Sequence, residues 1–89
     1  MKKINVLKIA GKSNVGSVAG SIVKSVENNR EVELRAIGAG SCNQCVKSIA
    51  TARGILASKG LDCLTKIGFS ETSIEEKPVT MMIFRLVIN

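Results

Sequence analysis

The sequence predicts an α+β fold of two layers in the order βαβαββ, with a four-stranded mixed sheet carrying two helices on one face. Two observations lead there. Apolar spacing alternates between the two-residue period of a strand and the three-four spacing of a helix through the first two thirds of the chain, and two further β-type runs close it. Helices that follow successive strands pack on the same side of the sheet, because the strand–helix–strand crossover is right-handed. Eighty-nine residues leave room for one domain spanning 1–89, and no repeat, low-complexity tract or linker divides it.

Ile4 to Ala10 (INVLKIA) is a short β-branched run closed by Gly11 and reads as the first strand. From Val15 the positions Val15, Val18, Ala19, Ile22, Val23 and Val26 line one helix face, with Ser13 or Asn14 as N-cap and Asn28 or Asn29 near the end. Gly16 and Gly20 lie inside this helix, where each costs up to about 1 kcal/mol relative to alanine; close backbone packing is the expected compensation. Glu31 to Ile37 sets Val32, Leu34 and Ala36 against Glu33 and Arg35, the pattern of a half-buried strand. GAGS, residues 38–41, ends it. A second helix is expected from Cys42 to about Ser58, stopped by Gly60. Its apolar face would hold Cys42, Cys45, Val46, Ile49, Ala50 and Leu56, opposite Asn43, Gln44, Lys47 and Thr51. Leu61 to Ile67 and Val79 to Ile88 are the last strands, joined by an acidic, Ser/Thr-containing connection that ends at Pro78, the only proline. The final strand is apolar on both faces, so it is either central and doubly covered or part of a subunit contact; a homodimer or higher homo-oligomer is expected.

With 45% apolar and 22% charged residues the composition is globular, and no stretch has the near-twenty consecutive apolar residues needed to cross a bilayer, so no membrane partner is expected. The start, MKKINVLKIAGKS, is a poor signal peptide because Asn5 and Lys8 interrupt its apolar run and no cleavage site follows; a cytoplasmic protein is expected. Three cysteines, an odd number, argue for thiols rather than a disulfide framework. Thirteen basic residues against seven acidic ones give a net charge of +6, which suits a polyanion partner or serves solubility. Lys8, Arg35, Lys66 and Arg85 fall near the middles of four strands and could share the helix-free face, tempered by Glu33 and Asp62. There is no Tyr or Trp, and Phe69 and Phe84 sit at a loop edge and in an apolar run, which argues against reading single strands by base stacking.

Cys42 and Cys45 stand two residues apart at a helix start, where a thiolate is favoured, but on a helix they share the apolar face, where cysteine packs as a small hydrophobe. Zinc needs four ligands or three plus water, and with no histidine and only Cys63 besides, the set is incomplete; no metal or other cofactor is expected. Gly38 and Gly40 let backbone N–H groups approach an anion at a helix start, although GAGS is neither a P-loop nor a dinucleotide fingerprint and reads equally as a tight turn. The first loop mirrors it, offering Lys12, Ser13, Asn14 and free backbone donors to a phosphate, or merely a cap and a solvated charge. Arg53 falls between Val46, Ile49 and Leu56, so it either snorkels to the rim or meets a partner at an interface. With no histidine and no serine or cysteine visibly paired with a base, an enzyme is not expected.

LKIAGKSNVGSVAGSIVKSV followed by VELRAIGAGSCNQCVKSIATARGIL resembles the stage V sporulation protein S family over nearly the whole chain. The matching pieces are Lys12-Ser13, Ser17-Val18-Ala19-Gly20, Ala36 to Gly40, Asn43-Gln44, Val46-Lys47 and Ala52-Arg53-Gly54. That resemblance implies an Alba-like two-layer sandwich, often dimeric, and a nucleic-acid-binding regulator connected with sporulation or development. Lys12 matches the loop where Alba-type proteins place DNA-contacting lysines, whereas the Gly38 to Ser41 turn lacks their arginine and the last connection carries Glu71, Glu75 and Glu76 where they have a basic arm. The expected function is phosphate contact through Lys12, Ser13, Asn14, Gly38 and Gly40, assisted by Asn43 and Lys47, on DNA or RNA with little sequence preference. The alternative is an oligomeric scaffold that binds another protein, with Arg53 at the interface.

Overall fold

The computed structural model describes residues 2–89 and has the element order β1 (Ile4–Ile9), α1 (Val15–Glu27), β2 (Glu31–Ile37), α2 (Ala39–Ala57), β3 (Cys63–Ile74) and β4 (Lys77–Ile88). The strands lie in the order β1-β2-β4-β3. β1 pairs with β2 in parallel, Leu7 opposite Leu34, and β4 is antiparallel to both β2 and β3. β2 and β3 therefore run the same way with β4 threaded between them, which makes α2 a crossover over a strand laid down later. Both helices lie on one face, as expected from two crossovers of one hand.

The core lies between that face and the helices. Ile22 and Leu34 are completely buried, packed with Ala19, Val32, Cys45, Ala52, Leu56, Phe84 and Leu86. Burial along α2 falls on Cys45, Ser48, Ile49, Ala52 and Leu56, so the stripe is rotated from the expected one: Val46 and Ala50 face solvent. Ser48 can replace an apolar residue there because its hydroxyl donates to the Gln44 carbonyl oxygen at 2.7 Å. Ser25 is buried on α1 in the same way, donating to Ser21 O at 2.8 Å and accepting from Asn5 Nδ2 at 2.7 Å. No helix among the described residues is long and apolar enough to cross a membrane.

Two boundaries differ from expectation. α2 begins at Ala39, three residues early, because Gly38 adopts φ 94° as its N-cap and turns the chain straight from strand into helix. The expected loop between the last strands is instead a β-hairpin: pairing runs from Cys63↔Ile88 out to Ile74↔Lys77, with Phe69 inside β3 and Pro78 inside β4 opposite Ser73. The two-residue turn places Glu75 at φ 50° and Glu76 at φ 66°, the left-handed pair that a type I′ turn requires. β4 pairs with β2 only over Met81–Arg85, so the outer hairpin projects beyond the main sheet. Hydrophobic pattern failed here because exposed polar positions such as Glu71, Ser73 and Thr80 read as loop when the strand is a two-stranded arm.

On the helix-free face the register sets Lys8 beside Arg35, Glu33 beside Arg85 and Arg85 beside Lys66, so the four expected cations do share it. Two of them are engaged. Glu33 is 6% exposed and accepts from Arg35 Nε at 2.6 Å and from Arg85 Nη2 at 3.0 Å, while Arg85 also lies 3.7 Å from Glu31. Burial by itself pushes the Glu33 carboxyl up, but hydrogen bonds and charge from Arg35 and Arg85 outweigh it and hold it below the ordinary carboxylate value.

Gly20 does not meet the close packing expected of it: it is exposed, and a Cβ there would find nothing within 4 Å. Gly20→Ala should stabilise the protein by up to about 1 kcal/mol, read as an upward shift in the urea midpoint with unchanged slope. Because the Glu33 pKa is lowered on folding, its contribution is complete above the unfolded carboxylate value and is lost as pH falls through the folded one. Glu33→Gln should therefore cost stability at neutral pH and flatten the acid limb of a stability–pH curve; parallel curves for the two proteins would refute the assignment.

Candidate nucleic-acid interface

Because β1 and β2 are parallel neighbours and each leads into a helix, the two strand-to-helix turns emerge side by side at one end of the sheet. Their backbones are nearly in contact: a Cβ built on Gly40 would lie 3.9 Å from Gly11 Cα, and one on Gly11 4.0 Å from Gly40 C. Gln44 Nε2 donates to Ser13 O at 2.8 Å and ties the first loop to α2. Thus the close glycine approach missing along α1 is found between the turns.

Each helix start presents N–H groups that have no intrahelical partner, with the partial positive charge of the helix dipole behind them. In α1, Asn14 is the N-cap, its Oδ1 accepting from Ser17 N at 2.9 Å. In α2, Gly38 supplies no side-chain cap, and neither helix carries an acidic residue in its first turn. An anion placed at this end meets two dipoles and no carboxylate belonging to them.

The expected site residues are brought together unequally. Lys12 is exposed at the lip of the first turn. Ser13 is half-buried, its Oγ accepting from Ala10 N at 2.9 Å, and Asn14 Oδ1 is committed to the cap, so both side chains build the loop. Gly38 and Gly40 are exposed in the second turn. Asn43 and Lys47, four apart and both exposed, run outward along α2 from that turn. Arg53 stands apart from this group: it is exposed at the far end of α2, 3.9 Å from Asp62.

Cys45 and Cys63 belong to the core, while Cys42 is half-buried in the first turn of α2. Cys45 is completely buried, and desolvation, aided by Cys42, pushes its pKa up to about 11; burial and Asp62 raise Cys63, with Arg53 opposing. Reactive thiols are shifted the other way. Among the described residues no group of three or more His, Cys, Asp or Glu is placed to hold a metal ion.

Sequence reasoning missed two surface features. Ile67 and Phe69 lie on the helix side of the edge strand β3, 63% and 69% exposed, because the helix layer stops short of that edge. The projecting hairpin also bends so that Thr72 and Ile74 share a groove of about 290 Å³ with Lys8, Arg35 and Ile37 on the open face. The first was signalled by Ile67 and Phe69 alternating with Lys66, Gly68 and Ser70, a strand pattern continuing past the expected end.

Two comparisons bear on this architecture. Alba from Thermoplasma volcanium superposes with a TM-score of 0.64 over 96% of this chain and 99% of its own, at 12% sequence identity, which shows a shared fold. The sequence profile described as Stage V sporulation protein S (SpoVS) matches residues 5–89, every element from the first strand to the last. On that match the chain belongs to the stage V sporulation protein S family.

Proposed function

We propose that the protein is a nucleic-acid-binding regulator acting in sporulation or development, which grips phosphates at the paired strand-to-helix turns. The supporting observation is the juxtaposition of two helix starts, free of acidic residues in their first turns, beside the exposed Lys12. Backbone donors at Gly38 and Gly40 and the outward Asn43 and Lys47 extend the contact along α2. Such a surface touches backbone and not base edges, so it discriminates little between sequences. In this reading the protein is cytoplasmic and not an enzyme: the chain contains no histidine, and its buried thiols are shifted away from reactivity.

The working unit in this proposal is a homodimer. Ile67 and Phe69 on β3 are exposed on the face that carries the helices. Val46 on α2 is 55% exposed as well, and large apolar side chains left this open support an association surface. This is also the observation that favours the second reading, a scaffold that binds another protein without touching nucleic acid.

Fluorescence anisotropy with labelled duplex DNA, single-stranded DNA and duplex RNA at two salt concentrations separates the readings. Phosphate contact by Z cations gives a log–log salt slope near −0.9Z on duplex DNA, and Lys12→Ala should weaken binding while lowering the slope by about one. Absence of binding to all three at micromolar protein and low salt would leave the scaffold reading in possession. For the dimer, Phe69→Asp should halve the mass seen by sedimentation equilibrium to that of the 9.4 kDa chain. An unchanged mass, or a monomeric parent protein, removes that assignment.

A further inference from the structure

We propose a second polyanion site at the opposite end of the sheet from Lys12: a cationic cleft around Lys2, Lys3 and Arg30, continued by Lys66, that takes the phosphodiester backbone of a second nucleic-acid segment. β1 and β2 begin together at this end, Ile4 pairing with Glu31, so the residues just before each strand are neighbours. Lys2, Lys3 and Arg30 line a cleft of about 430 Å³ with the amides of Asn28 and Asn29. Around the strand ends it is continued by a hollow of about 250 Å³ that Lys2 and Arg30 also line, together with Glu31, Lys66 and Arg85.

The cations there are available. Among the described residues Lys2, Lys3, Arg30 and Lys66 take part in no ion pair, while the carboxylate in the lining, Glu31, lies 3.7 Å from Arg85 Nη1. Arg30 is aimed by one hydrogen bond, Nη1 donating to Asn5 Oδ1 at 3.2 Å, and the rest of its planar fork is left for a phosphate.

α1 ends at this cleft, and a bare helix C-terminus would repel an anion. Here two of its last carbonyls are closed off: Arg30 N donates to Ser25 O at 2.9 Å and Asn29 N to Val26 O at 3.0 Å, with Asn29 left-handed at φ 57°. This is the Schellman arrangement, and it turns Arg30 back over the helix end it closes. The cleft itself is walled by cations and amides; Leu86, Val87 and Ile88 line the adjoining hollow, but Leu86 is buried and the other two half-buried, so the site suits a phosphodiester backbone better than a lipid surface that must receive acyl chains.

The nucleic-acid occupant rests on the function proposed above, whereas the site shares no residue with the Lys12 end. β1 separates the two ends by about 20 Å at 3.3 Å per residue, so one chain presents phosphate-binding surfaces on two sides of its sheet.

The test uses the full chain, a short labelled duplex, two salt concentrations and four proteins: the parent, Lys12→Ala, the triple variant K2A/K3A/R30A, and all four substitutions combined. Lys12→Ala should retain residual binding that the combined protein loses by at least tenfold, with a salt slope shallower by about 2.7, or three contacts at 0.9 each. The parent should also carry a second labelled duplex onto an immobilised one, and the triple variant should not. The charge-preserving K2R/K3R/R30K, with a melting curve matching the parent's, should restore both results. If the combined protein matches Lys12→Ala in affinity and slope, or K2R/K3R/R30K fails to restore binding, the cleft is not a site. If Lys12→Ala matches the parent while the triple variant abolishes binding, the paired-turn reading falls and the cleft stands. Capture of phosphatidylserine vesicles without duplex by the Lys12→Ala protein would overturn the nucleic-acid occupant.

Discussion

Two crossovers of the same hand determine where the two helices of this protein begin. Since β1 and β2 are adjacent and parallel, α1 and α2 must return over the same face with their starting ends together, and no side chain is needed to arrange it. The remaining architecture answers to that constraint. β4 enters between β2 and β3 in the opposite direction, completes the sheet and contributes Phe84 and Leu86 to the core beneath both helices. Gly11 and Gly40 then allow the two turns to approach, and Gln44 secures the contact with one hydrogen bond.

The face without helices shows how a one-sided sheet manages exposure. Its middle is closed by charge rather than by apolar packing: Glu33 lies beneath Arg35 and Arg85, whose stems cover the neighbouring backbone while their guanidinium groups stay near water. The arrangement removes two cations from the surface that charge counting alone would assign to a polyanion. Among the described residues Lys8 and Lys66 stay without an ion pair on that face, and further unpaired cations lie at the ends of the strands, at Lys12 and at Lys2, Lys3 and Arg30. Net charge thus overstates the middle of the sheet and understates its ends.

Much of the fold was legible because local signals agreed with each other. α1 was readable to within a residue or so, since Asn14 and the Asn28-Asn29 pair bracket a clean apolar stripe. α2 was harder: Ser48 occupies a core position that a hydrophobic pattern assigns to Val46 or Ala50, and Gly38 starts the helix where GAGS suggests a loop. The paired turns were visible as two similar loops, but not their contact, because the distance between residues 11 and 40 follows from strand pairing. The basic cleft was invisible for the same reason: Lys2 and Lys3 are far from Arg30 in sequence and become its neighbours only when Ile4 is set opposite Glu31.

The turn at the tip of the hairpin bears on how the chain assembles. Glu75 and Glu76 both hold left-handed backbone, which costs an L-residue with a Cβ about 1 kcal/mol or more and is what Asn-Gly would adopt readily. A tip built this way favours the hairpin less than Asn-Gly would, and the pairing of β3 with β4 is anchored from its other end, where Phe84 and Leu86 lie in the core. Beyond Met81 the arm pairs with no third strand among the described residues, so its amide protons should exchange with solvent by local fraying before those of the core strands.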